Sequence, residues 1–119
     1  MPNRVLIVDD EAPIARLIKV LLTREGFEVL MAGDGREAWN AIQTQAPDLV
    51  LLDVNLPHMS GLEVRALARA APPTVDLPIV MLTGNTDDLP AGRPGIDFAM
   101  PKPFDPNDLI ELVKRVLNP

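Results

Sequence analysis

The chain reads as an α/β domain, a doubly wound, five-stranded parallel sheet with helices on both faces. Three observations predict this. Apolar runs of strand length occur at 5–8, 49–52 and 79–82 without polar alternation, as expected of strands covered on both faces. Between the runs lie stretches whose apolar residues recur at helical spacing. Breaker residues separate the two kinds of segment, and strands that alternate with helices imply parallel pairing through right-handed crossovers.

Val5-Leu6-Ile7-Val8 is the first strand, and it ends in acid at Asp9-Asp10-Glu11. Ile14, Leu17, Ile18, Leu21 and Leu22 then fall at i, i+3, i+4, i+7 and i+8, the stripe of an amphipathic helix that Gly26 closes as a C-terminal cap. Phe27 to Ala32 is a short strand, and Gly33-Asp34-Gly35 turns the chain. Ala38, Ala41, Ile42 and Ala46 mark a second helix, ended by Pro47, with Trp39 as a partly covered residue at its edge. Leu49-Val50-Leu51-Leu52-Asp53 is the central strand. The turn Pro57-His58-Met59-Ser60-Gly61 follows, and its histidine is expected to face solvent.

Val64, Leu67, Ala68 and Ala71 give a third helical face before Pro72-Pro73 stops it. Pro78 opens the run Ile79-Val80-Met81-Leu82, an acceptable place for proline because it is the first residue of a strand, and Thr83-Gly84 ends it. Asp87-Asp88 reads as a solvated turn or cap. Phe98-Ala99-Met100 is short enough for an edge strand, with Lys102-Pro103-Phe104 behind it. Asp105 as N-cap and Pro106 at the first helical position then open a last helix that buries Leu109, Ile110, Val113, Val116 and Leu117.

Composition narrows the function. A length of 119 residues with 47% hydrophobic content suits one domain with a real core, taken here as 1–119 with no output domain after Asn118-Pro119. Eleven basic residues against 17 acids leave a net charge of -6, which repels nucleic acid and anionic membrane surfaces, so neither is expected as a direct partner. Cysteine is absent, so no disulfide or thiolate metal site exists and nothing demands an oxidising compartment. No signal peptide and no window near ~18 consecutive apolar residues is visible, which makes the cytoplasm the expected location.

The strand ends carry the chemistry. In an open α/β sheet the ligand crevice lies outside the carboxyl ends of the strands. Asp9 and Asp10 stand there after the first strand, Asp53 after the third, Thr83 after the fourth and Lys102 after the fifth. Carboxylates gathered together repel unless a cation intervenes or a pKa rises, and an all-oxygen set suits a hard ion such as Mg²⁺. A lysine and a hydroxyl beside such an ion make a receptor for a phosphoryl group. Aspartate can take that group covalently as an acyl phosphate, and Asp53, flanked by all the others, is the residue placed to do so. Thr83-Gly84 alone would be a turn and Lys102 alone a surface charge, but their joint arrangement with the acids points to a site.

Four pieces together resemble the response-regulator receiver domains of two-component signalling: Val8-Asp9-Asp10-Glu11; Leu52-Asp53 with Pro57, Met59 and Gly61; Leu82-Thr83-Gly84; and Lys102-Pro103-Phe104. Each piece is weak alone, and all four in order at near-family spacing are specific. The resemblance implies the flavodoxin-like, CheY-like strand order 2-1-3-4-5. It implies that Asp53 is the phosphoacceptor, supplied by a sensor histidine kinase, a phosphotransfer protein or a small phosphodonor. Asp10, Asp53 and the backbone carbonyl of Asn55 would hold Mg²⁺, with Asp9 acting mainly through water. Lys102 would pair with the phosphoryl oxygens and Thr83 would donate a hydrogen bond to one of them. The Lys102-Pro103 bond would be cis, a state open to X-Pro at modest cost. The implied protein is a switch that changes its partner-binding face for a downstream protein or output domain. It would be no enzyme beyond its own phosphorylation and dephosphorylation.

Two departures from the family pattern stand out. The segment between Thr83 and the last strand is shorter than usual by about one helical turn. It contains Pro90, Gly92, Pro94 and Gly95, and inside a helix proline costs ~3 and glycine ~1 kcal/mol relative to alanine. The usual fourth helix is therefore expected to be lost or reduced to a turn near Asp87–Leu89. Ala99 occupies the usual switch-aromatic position, and Phe98 should face the other side of the sheet by strand alternation. These departures keep alive a second reading, a degenerate receiver acting as a phosphorylation-independent interaction module. A phosphatase or flavin enzyme on a similar sheet fits less well, because no second aspartate lies two residues after Asp53 and no phosphate loop follows Val8.

Overall fold

The structure, a computed structural model, describes residues 2–118; Met1 and Pro119, the ends of the stretch expected to form one domain, lie outside the described residues. Five strands alternate with four α-helices: β1 (Arg4–Val8), α1 (Ala12–Arg24), β2 (Glu28–Ala32), α2 (Gly35–Gln45), β3 (Leu49–Asp53), α3 (Gly61–Ala70), β4 (Ile79–Thr83), β5 (Asp97–Pro101) and α4 (Pro106–Leu117). All pairings are parallel, in the order β2-β1-β3-β4-β5. The apolar runs behave as their lack of alternation requires, for every residue of β3 and β4 is buried. Alternate residues of these strands feed two cores. Val5, Ile7, Leu49, Leu51, Val80 and Leu82 pack under α1 and α4. Leu6, Val8, Val50, Leu52, Ile79 and Met81 pack under α2 and α3.

Local chemistry sets the helix ends. Gly26 follows α1 at φ +91°, a left-handed conformation open to glycine, and its N–H bonds Thr23 O at 3.0 Å. Asp34 Oδ1 accepts from Glu37 N at 2.8 Å and Ser60 Oγ from Glu63 N at 3.2 Å, capping α2 and α3. Asp105 caps α4 as expected, accepting from Asn107 N at 2.8 Å ahead of Pro106. Trp39 is half-buried against the α2–α3 core and His58 is exposed in its turn, both as expected.

Between β4 and β5 the only helical structure is the 3₁₀ turn Thr86–Asp88, so the reduced fourth helix is borne out. Phe98 packs into the α1–α4 core, whereas Ala99 is exposed and lies near Met81 and Arg65 on the α3 side, the expected division of the two residues. Four residues of the expected helical stripes are corrected: Ala46 is exposed just beyond the end of α2, and the other three lie on α1 and α3. Ile14, Leu17 and Leu67 are 40%, 47% and 38% exposed. The buried line of α1 is Ala15, Ile18 and Leu22, and in α3 the buried Arg65 lies beside Val64 and Ala68. Spacing defines a stripe, but the docking angle on the sheet selects which edge of it is covered. No helix is long and apolar enough to cross a membrane among the described residues.

Candidate functional site

β1 and β3 are neighbours paired through Val8 and Leu52, so Asp9 and Asp53 leave the sheet side by side. Asp9, Asp10 and Asp53 each present a carboxylate oxygen, and these atoms lie within 4.8 Å of one another. Asp9 is 5% and Asp53 2% exposed, while Asp10 is exposed at the mouth. Asp9 Oδ1 accepts from Glu11 N at 2.8 Å, but its Oδ2 is buried without a hydrogen-bond partner. Burial pushes the Asp9 carboxyl above its usual range and the Asp53 charge adds to this, against the Glu11 N–H and the Lys102 ammonium.

Both oxygens of Asp53 are engaged. Oδ1 accepts from Asn55 N at 3.0 Å and Oδ2 from Lys102 Nζ at 2.7 Å. Burial pulls the Lys102 ammonium down, yet the hydrogen bond and charge of Asp53 outweigh it and raise its pKa. Lys102 is delivered from the end of β5, where its N–H donates to Thr83 O at 2.7 Å and its bond to Pro103 is cis. Gly61 closes the other side: its N–H donates to Val54 O at 2.9 Å, and a Cβ at this position would run into the Asp53 carbonyl.

Folding therefore brings Asp9, Asp10, Asp53 and Lys102 together. Asn55 joins them through its backbone N–H on the Asp53 carboxylate. Thr83 ends β4 at the same edge, one residue beyond the Asp53–Leu82 pair. Its hydroxyl is turned into its own loop, donating to Asn85 O at 3.2 Å and accepting from Asn85 N at 3.1 Å. The donor set fits a hard divalent cation, because three clustered carboxylates include one buried oxygen that no protein donor serves.

A family model described as the response regulator receiver domain matches residues 5–114. The chain belongs to this family. As a receiver domain of two-component signal transduction, it is 42% identical over 120 residues to the DNA-binding response regulator MtrA of Mycobacterium tuberculosis (strain ATCC 25618 / H37Rv), covering 98% of this chain and 51% of that protein. The receiver thus spans about half the length of the curated relatives it matches. Among solved structures, a protein described as a response regulator from Chloroflexus aurantiacus J-10-fl superposes with a TM-score of 0.87 at 35% identity, each chain covered over 100%. The receiver domain of sensor histidine kinase PA1611 from Pseudomonas aeruginosa PAO1, with a magnesium ion coordinated in its active site cleft, superposes with a TM-score of 0.86 at 26% identity, again over 100% of both chains.

A second charged cluster was not anticipated from sequence. Asp97, at the start of β5, lies under Arg65 and Arg69 of α3, with Nε of Arg65 at 3.0 Å and Nη2 of Arg69 at 2.7 Å from its Oδ1. Burial works against its charge, but the hydrogen bonds from Arg69, Arg93 N and Arg65 hold its carboxyl down at about 2. The arginines are one helical turn apart, which was a visible cue. Their partner is 28 residues beyond Arg69 in the chain, and no local pattern names it.

Proposed function

We propose that the chain is a phosphorylation-driven switch in which Asp53 accepts a phosphoryl group from a phosphohistidine of a sensor histidine kinase or phosphotransfer protein. An Asp53 carboxylate oxygen attacks phosphorus, the O–P bond forms and the donor's P–N bond breaks. Asn55 N–H orients the carboxylate through Oδ1. Lys102, 2.7 Å from Oδ2, is close enough to follow the charge onto the transferred phosphoryl oxygens. Asp9, Asp10, Asp53 and the Asn55 carbonyl would hold Mg²⁺, which when bound neutralises the clustered acids and the incoming phosphoryl oxygens. The ion coordinated in the cleft of the similar receiver from Pseudomonas aeruginosa supports this assignment.

The Thr83 hydroxyl must leave Asn85 to donate to a phosphoryl oxygen. Signalling then begins as a choice of partner for one hydroxyl, which biases the segment that follows Thr83. With Ala99 in place of an aromatic, this segment carries the change to the downstream partner. The net charge of -6 disfavours direct DNA contact by this chain, and the switch works in the cytoplasm.

The observation that carries the reading is the pairing of a buried, orphaned Asp9 oxygen with an Asp53–Lys102 contact in one pocket. Acetyl phosphate or phosphoramidate with Mg²⁺, followed by intact mass, tests it. A phosphoryl adduct on the wild type that vanishes in Asp53→Asn is the expected result. No adduct on the wild type would instead make the chain an interaction module independent of phosphorylation.

A further inference from the structure

From Gly84 to Gly95 every residue is exposed except Leu89, the only long apolar side chain of that stretch, which is half-buried against the α2–α3 core. The segment therefore rests on the sheet through one side chain. Beside Leu89 a recess of about 130 Å³ opens, with Met81 and Gly92 in its wall and an Ala99 side chain too short to fill it. This is well above the roughly 10–15 Å³ that a single water needs, so a methyl group can enter.

The turn that carries Leu89 is tied to Thr83 through Asn85. Asn85 N donates to the Thr83 hydroxyl at 3.1 Å, and its carbonyl accepts from that hydroxyl at 3.2 Å and from Asp88 N at 3.2 Å. Asn85 Oδ1 accepts from Asp87 N at 3.0 Å, and Leu89 N donates to Thr86 O at 3.3 Å. Both ends of the segment are fixed. The Thr83 backbone is held in the sheet, its carbonyl accepting from Lys102 N at 2.7 Å. At the far end Arg93 N donates to Asp97 Oδ2 at 2.7 Å, and a Cβ on Gly92 would meet Asp97 Cβ at 2.6 Å. This leaves Asn85 to Pro90 as the part free to move. A hydroxyl that turns away from Asn85 breaks two of the turn's bonds at once. The loosened turn still has an apolar side chain to bury, and the recess is the unfilled space beside it.

We propose that the Thr83 hydroxyl, acting through Asn85, decides whether Leu89 lies on the α2–α3 core or in the recess beside Ala99. Leu89 is then the moving part of the switch. Phosphorylation at Asp53 enters only as what draws the hydroxyl away, the one step that rests on the proposed function.

NMR of isotope-labelled leucine and alanine methyl groups tests this. Without phosphodonor or Mg²⁺, Thr83→Val keeps the side-chain shape and removes both bonds to Asn85. It should shift the Leu89 methyl signals and strengthen their cross-relaxation with the Ala99 methyl, whereas Thr83→Ser, which keeps the hydroxyl, should leave them at their wild-type positions. Ala99→Leu fills the recess from an exposed position on β5, and in that background Thr83→Val should leave Leu89 where it was. With phosphoramidate and Mg²⁺, wild-type protein whose intact mass shows the adduct should move Leu89 in the same direction as Thr83→Val does. The proposal is overturned if Thr83→Val leaves Leu89 unmoved, if Thr83→Ser moves it as far, if Ala99→Leu does not block the response, or if the phosphorylated protein keeps Leu89 in its resting place. A chain that takes no adduct fails the proposed function instead, and the Thr83→Val arm, which uses no phosphodonor, still decides the coupling.

Discussion

Asp9 and Asp97 are both acids drawn into the interior, and their surroundings drive them in opposite directions. The Asp9 carboxyl is raised by burial and by Asp53, so in the folded state it resists ionisation and costs stability at neutral pH. Asp9→Asn keeps an oxygen for the Glu11 N–H and removes the repulsion. In EDTA its urea unfolding free energy should exceed that of the wild type by about 1 kcal/mol, and its gain from Mg²⁺ should shrink. A metal-free variant no more stable than the wild type would contradict this account. Asp97 is the reverse case. Its carboxyl falls from 3.8 to about 2, so its contribution is full above the unfolded value and disappears as pH falls through the folded one. Its ion pairs are nearly solvent-free, and the shift corresponds to about 2 kcal/mol. Urea titrations between roughly pH 4 and pH 2 should show Asp97→Asn losing less stability than the wild type by about that amount.

At the scale of elements, the joint between β3 and α3 and the segment after β4 govern the site. Gly61 packs against the Asp53 carbonyl, a contact that tolerates no side chain. Gly61→Ala should cost about 2 kcal/mol in urea unfolding by overpacking and slow phosphorylation at Asp53; a fully stable variant would show that the joint has slack. The collapse of the fourth helix to Thr86–Asp88 was readable in advance, because Pro90, Gly92, Pro94 and Gly95 act through their own backbones. The helix cap expected at Asp105 likewise depends on a group two residues away. The burial of α1 and α3 was less readable. Ile14, Leu17 and Leu67 satisfy helical spacing yet are exposed, while Arg65 is buried. Their fate depends on docking angle and on Asp97, neither of which is local.

For the whole molecule, a parallel sheet converts distant segments into one edge, and a cation placed there should couple to global stability. Mg²⁺ at tenfold its dissociation constant should raise the unfolding free energy by roughly 1.4 kcal/mol. Equal melting temperatures in EDTA and in saturating Mg²⁺ would remove the metal site from the account. The sequence by itself determined the alternation of strand and helix, the central position of the Leu49–Asp53 run and the loss of the fourth helix, because apolar periodicity and backbone restriction act over a few residues. It also supplied the acids, threonine and lysine of the pocket. Only the tertiary structure decided that Lys102 reaches Asp53 at 2.7 Å and that two arginines converge on Asp97. Those contacts join residues on different elements, and only the packing of helices on a twisted sheet specifies them.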